Sequence, residues 1–262
     1  MYDEFSADYD RFVNWPSRLG YELPFIEQQL QTVGGQAGRP VRVLDSACAT
    51  GVHALALSQR GYAAAGADLS AGMIDRARAN AAAAGAQALF AKAGFGELAR
   101  AFRGKNIFPF DALLCLGNSL PHLLTSKDLA LALSDFSRCL RPGGLVLIQN
   151  RNFDAVLLKR ERWMEPQAHQ EGEAEWIFLR FYDYELDGLI NFNILTLHRE
   201  AGSSWKQRVV TTFLYPLKQT ELVAALSAAG FEGITCYGDM ASAAFDPETS
   251  GNLIVTAKLG MN

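Results

Sequence analysis

The sequence predicts a doubly wound, mostly parallel α/β sheet that carries an antiparallel β insertion. Three observations lead there. Short apolar runs alternate with helical patterns between residues 41 and 149, the first two runs are joined by a turn of small residues and a short helix, and from Glu175 onward the pattern changes to three long aromatic and β-branched runs. With 262 residues, 49% of them hydrophobic, the chain can bury a sizeable core as one large domain or one domain with an insertion.

Residues 1–33 mix aromatics with charges (Tyr2, Phe5, Tyr9, Phe12, Trp15), then show the helical spacing Leu23, Phe25, Ile26, Leu30. Pro16 and Pro24 each suit the first turn of a helix, where a missing N–H costs nothing, so two short helices are expected. A glycine-rich loop at 34–38 closes this part. Val41, Val43 and Leu44 begin the first strand, 46–51 is a tight turn, 53–60 a helix, and a second apolar strand ends on Asp68. Ser70 caps a helix over 71–84 that Gly85 ends. A strand at 88–91 and a short helix within 94–102 follow, then an apolar strand at 111–116 that runs into Gly117, Asn118 and Ser119. An amphipathic helix over 127–140 is halted by Pro142, Gly143 and Gly144, and 145–149 is the next strand.

The insertion reads as three antiparallel strands at 176–185, 189–199 and 206–217, with turns at 186–188 and 201–203. A helix at 219–229 and strands at 231–237 and 252–258 restore the earlier pattern. The expected organisation is therefore an N-terminal helical segment (1–35), a ligand-binding core (36–152), the antiparallel insertion (153–217) covering a substrate, and a return to the core sheet (218–262).

Acids and bases are interspersed and the net charge is −4, which leaves no basic footprint for a phosphate backbone, so nucleic acid is not an expected partner. Four cysteines lie far apart, three of them in apolar stretches, as suits reduced and buried thiols better than a disulfide framework or a metal site. No apolar run approaches the roughly 20 residues of a membrane helix, and no basic segment leads into an apolar one near Met1. No membrane partner is expected, the expected location is the cytoplasm, and the sequence sets no oligomeric state.

Open α/β sheets bind ligands beyond the carboxyl ends of their strands. The loops there are 46–50, the residue Asp68, 93–95, 117–122 and 150–154. The small-residue turn offers bare backbone N–H groups, and Asp68, about 20 residues on, is placed to accept bonds from a ribose, which reads as a nucleotide-type cofactor site. The turn is not a GxGxxG, because Ala47 and Ala49 stand where such loops often carry glycine. Asp45, at the end of the first strand, supports this turn. His53 is read as structural.

The segments DSACATG running into GVHALAL, LCLGNSLPHL (114–123), LRPGGLVLIQNRNFD (140–154), FLYPL and GDM resemble the class I S-adenosylmethionine-dependent methyltransferases, whose sheet is Rossmann-like. Within them, the GNS..HL and RNFD segments are similar to those of the glycine and sarcosine N-methyltransferases, and the likeness spans nearly the whole chain. It implies S-adenosyl-L-methionine as cofactor, held by the backbone at Ala47 and by Asp68, with the adenine against Phe95 near Gly94 and Leu116. It also implies Arg18 as partner of the methionine carboxylate and Tyr9 as a cover. For a small amine or amino acid substrate, Arg151 would grip the carboxylate as a planar fork, Asn118 and Tyr215 would fix the rest, and His122 would support the loop. Two departures stand out: Ala49 where relatives often have glycine, and Gly94 where they often have Asp or Asn. The expected activity is methyl transfer to the amine of glycine, sarcosine or a similar amino acid. The alternatives are an O- or N-methyltransferase for another metabolite and a binding protein without turnover.

Overall fold

In the computed structural model, which describes residues 8–34 and 38–261, a seven-stranded sheet forms around a completely buried strand, β4 (Phe110–Cys115). Its strands are β1 (Arg42–Asp45), β2 (Ala63–Asp68), β3 (Leu89–Lys92), β4, β5 (Leu140–Arg151), β10 (Phe231–Tyr237) and β11 (Asn252–Leu259), in the order β10-β11-β5-β4-β1-β2-β3. Only β11 runs against its neighbours. The chain winds outward from β1 to β3, then crosses back to β4 on the other side of β1. The loops after β1 and β4 therefore diverge, and a crevice opens between them.

Successive residues of a strand face opposite sides, and the core divides accordingly. Leu113, Val146 and Ile148 pack on one face with helices α4 (Leu98–Phe102), α5 (Ser126–Cys139) and α7 (Gln219–Ala228). Ala112, Leu114 and Leu147 pack on the other with α1 (Trp15–Gln31), α2 (Val52–Gln59) and α3 (Ala71–Ala84). Ser70 caps α3 by accepting from Met73 N–H, and Gly85 ends it in the left-handed conformation, as the sequence indicates.

Four local expectations are corrected. Pro16 lies in the first turn of α1, which Asn14 caps, but Pro24 sits inside this helix instead of starting a second one. Burial of Leu23, Phe25, Ile26 and Leu30 against the sheet offsets the hydrogen bond that the proline cannot donate. A separate helical turn occupies residues 8–12. Tyr2, Phe5 and part of the 34–38 loop lie outside the described residues. Second, β5 starts at Leu140, before Pro142, Gly143 and Gly144. Phe110 pairs with Leu140 and Ala112 with Leu145, so 141–144 bulge out opposite Asp111. A Cβ on Gly144 would lie 2.8 Å from the Arg141 carbonyl oxygen.

Asp111 anchors that bulge. Its buried carboxylate accepts from Arg39 at 2.6 and 2.9 Å, from Arg141 Nε at 2.5 Å and from Arg42 N–H at 2.8 Å. These donors outweigh the effect of burial and hold its carboxyl down at about 2.

The third and fourth corrections concern the insertion, a sheet of four strands and not three: β6 (Gln167–Glu171), β7 (Ala174–Tyr184), β8 (Ile190–Arg199) and β9 (Lys206–Leu214), all antiparallel. Polar β6, QAHQE, carries no apolar alternation to reveal it. Helix α6 (Phe153–Lys159) also went unread, although Asn152 caps it by accepting from the N–H groups of Asp154 and Ala155. Trp176, Phe178 and Ile194 on the inner face of this sheet pack against Tyr9 and Phe12. Among the described residues, no helix is long and apolar enough to cross a membrane. All four cysteines are free thiols, and Cys48, Cys115 and Cys139 are buried.

Candidate functional site

The turn after β1 is built from backbone bonds to its neighbours in the sheet. Ser46 N–H and Oγ both donate to the Leu114 carbonyl, each at 2.8 Å, and Cys48 N–H donates to the Ala67 carbonyl at 2.8 Å. Ala49 takes a positive φ of 46°, a conformation costly for a residue with a side chain, and its N–H donates to Asp68 Oδ2 at 2.9 Å. Gly51, at φ 82°, starts α2, and a Cβ there would lie 2.8 Å from the Phe90 ring. Asp68 also accepts Ser70 N–H at 2.9 Å through Oδ1.

Asp45 is 2% exposed and its shortest bond is a 3.4 Å contact from Ala47 N–H. Burial pushes its carboxyl up to about 6, although His53 and Arg18 pull the other way. Beside it is a cluster that the sequence did not reveal. Glu22 accepts Arg18 Nε at 3.1 Å through each oxygen, shares a 2.7 Å bond with His53 Nε2 and meets Gln149 Nε2 at 3.4 Å. Burial raises the Glu22 carboxyl, but the His53 bond and the Arg18 charge outweigh it and keep the group below its usual range. His53 holds Glu22 in place and also lines the adjoining cavity. The i,i+4 spacing of Arg18 and Glu22 was the available signal.

These elements wall a cavity of about 1120 Å³. Of the residues expected at the site, Tyr9, Arg18, Asp45, Ala47, Asp68, Gly94, Phe95, Leu116, Asn118, His122 and Arg151 all line it. Tyr215 does not. Its N–H donates to the Pro121 carbonyl at 2.7 Å and its hydroxyl to Glu221 at 2.7 Å, which ties it to the first turn of α7. Tyr182 of β7 lines the cavity instead, its hydroxyl pushed up to about 12 by burial. The insertion also contributes Glu161, Trp163, Met164, Arg180, Phe192 and Ile194.

At one end, Asn118 occupies a left-handed turn position with φ 66°, which asparagine tolerates. Its Oδ1 accepts Arg151 N–H at 2.9 Å, so the amide NH2 is the part left to meet a ligand. Arg151 donates through Nη2 to Glu161 at 2.7 Å, and its buried Nε has no hydrogen-bond partner among the described residues. Asn150 is 1% exposed, and neither polar atom of its side chain has such a partner. Burial pulls His122 down to about 4, which keeps the imidazole neutral.

The wall near Asp68 and Gly94 is apolar. Leu69, next to Asp68, is 71% exposed yet lines the cavity, and its Cδ1 lies 3.1 Å from where a Gly94 Cβ would be. Leu69 thus occupies space that a side chain at Gly94 would need, a physical reason for that departure. With Phe95, braced edge-on by Phe136 at 5.5 Å, it offers apolar surface to a planar base.

A family model described as a methyltransferase domain matches residues 43–144. A glycine/sarcosine N-methyltransferase of Halorhodospira halochloris is 29% identical over 237 residues, covering 90% of this chain and 81% of its own. A glycine/sarcosine N-methyltransferase of Aphanothece halophytica is 27% identical over 239 residues, with coverage of 90% and 81%. In fold, the chain is similar to a solved S-adenosylmethionine-dependent methyltransferase from Clostridium acetobutylicum ATCC 824, with a TM-score of 0.74 at 18% identity over 99% of both chains.

Proposed function

We propose that this chain, a class I S-adenosylmethionine-dependent methyltransferase, methylates the amine of a small amino acid such as glycine or sarcosine. The observation that carries the reading is the polarity of one cavity. Its turn and Asp68 suit a nucleoside at one end, while the Arg151 guanidinium and the Asn118 and Asn150 amides stand at the other. The names of the similar N-methyltransferases support the same acceptor class.

S-adenosyl-L-methionine supplies an electrophilic methyl group on a sulfonium. In this reading Asp68 accepts from the ribose hydroxyls, Ala47 and Leu116 offer backbone groups, and Leu69, Gly94 and Phe95 enclose the base. Arg18, fixed by Glu22, pairs with the methionine carboxylate, and Tyr9 covers it. Asp45 supports the turn. Arg151 and the Asn118 amide donate to the acceptor's carboxylate, and neutral His122 stiffens the loop that carries Asn118. Tyr215 reinforces that loop from behind through Pro121. The insertion, 153–217, closes over the acceptor with Tyr182, Phe192 and Ile194, so that water does not occupy the amine's lone pair.

Calorimetric titration of the cofactor, then of glycine and sarcosine into the loaded protein, paired with labelled-methyl transfer, tests the proposal. Arg151→Ala removes a charge-assisted pair worth about 2–4 kcal/mol, so the acceptor KM rises roughly 30- to 1000-fold. Cofactor affinity stays within about threefold. Equal losses for cofactor and acceptor would overturn the assignment.

A further inference from the structure

On the inner face of the insertion, β7 presents Trp176, Phe178, Arg180 and Tyr182 in alternate positions, a single charge in an aromatic stripe. Arg180 lines the cavity together with Ile194, its partner in register on β8. The guanidinium lies over the Phe12 ring, with Cζ 5.0 Å from the centroid. That contact covers one face of the group, while its N–H donors point outward in the guanidinium plane. The buried Nε has no hydrogen-bond partner, and no carboxylate lies within ion-pair distance, among the described residues.

Arg151 lines the same cavity, and the structure gives it Glu161 as an acid partner. Burial, with the nearby Arg151 charge, lowers the proton affinity of Arg180, while Tyr182 opposes the change. Glu165 lines the cavity but is exposed to solvent and is bonded to neither arginine. A half-buried cation without a counter-charge loses part of its hydration, and an incoming anion offsets that cost.

We propose that Arg180 is a second anion-binding residue of the acceptor site, and that the preferred acceptor is an amino acid with two carboxylates. This deepens the amino acid reading and rests on it. One carboxylate goes to Arg151 and Asn118, the other to Arg180. Asn150, which lines the same cavity with neither side-chain polar atom bonded among the described residues, orients the amine. Glycine and sarcosine then fill only the Arg151 end.

Non-reactive probes test this without turnover. Acetate, malonate, succinate and glutarate are titrated into the protein loaded with S-adenosylhomocysteine. At least one dicarboxylate should bind ten or more times as tightly as acetate, and Arg180→Gln should bring that ratio to within about twofold of one. In labelled-methyl assays, aspartate or glutamate should exceed glycine at least tenfold in kcat/KM, with Arg180→Gln acting chiefly on KM. Thermal unfolding checks that the variant is folded, and Arg180→Lys should restore part of the ratio. A ratio near one in the wild type, or one that Arg180→Gln leaves unmoved, overturns the inference. If glycine is methylated in that case, the amino acid reading survives. If the loaded protein transfers methyl to no amino acid, both fall together.

Discussion

Replacing Asp68 by alanine should separate the anchoring of the turn from the proposed grip on the ribose. Its two oxygens hold the Ala49 and Ser70 N–H groups, both at 2.9 Å. Hydrogen bonds to a charged group contribute about 1.5–3 kcal/mol each, but these donors border a cavity where water can replace the carboxylate, so a net loss of about 2–3 kcal/mol is expected. For a protein of this size that lowers Tm by roughly 4–12 °C in the cofactor-free state. Loss of the ribose contacts should cost the cofactor about 3 kcal/mol, which is about 150-fold in Kd by calorimetry. Asp68→Asn retains one acceptor oxygen and turns an NH2 toward the remaining donor, so its loss of stability should fall between the wild type and Asp68→Ala. A folded Asp68→Ala variant that binds the cofactor within about threefold of wild type would refute the ribose assignment. An unchanged Tm in both variants would refute the anchoring argument.

Ala49→Gly should stabilise the protein. Relief of the left-handed alanine is worth about 1–2 kcal/mol and the extra freedom of glycine in the unfolded chain costs about 0.5–1, so Tm rises by roughly 1–4 °C. A fall in Tm would show that the turn prefers its methyl group. Asp111→Asn leaves Arg39 and Arg141 without their shared acid and should cost about 3–5 kcal/mol at pH 7. The Asp111 carboxyl titrates lower in the fold, at about 2, than in the unfolded chain, so its contribution is full above pH ~3.8 and is lost as pH falls through about 2. The gap in stability between wild type and variant should therefore narrow by about 2 kcal/mol between pH 5 and 2, and a constant gap would count against this account.

Sequence periodicity revealed the parallel core because its signals are local: Ser70 and Gly85 bound a helix, and Ala112 to Leu114 alternate between two packed faces. The cavity wall built on the first βαβ unit was legible for the same reason, since its turn and Asp68 sit at fixed spacing along that unit. The acceptor end was less so. Tyr215 precedes a proline at the end of the insertion and has a tyrosine's usual chemistry, but the turn of the chain aims it at Glu221. Tyr182 and Arg180 reach the cavity only because β7 folds back over the sheet, which no short stretch of sequence encodes. Edge strand β6 was invisible because one exposed polar strand needs no hydrophobic pattern to pair.

The single crossing from β3 back to β4 also divides the molecule along its length. On the proposed reading, the residues around the nucleoside end precede that crossing, Leu116 apart, whereas those around the acceptor, Asn118 and His122 apart, come from residue 150 onward. If the proposed division holds, substitutions in the later stretch would remodel what is methylated while the donor's berth is inherited intact. Descendants of one such scaffold can diverge in diet without relearning how to hold their shared reagent.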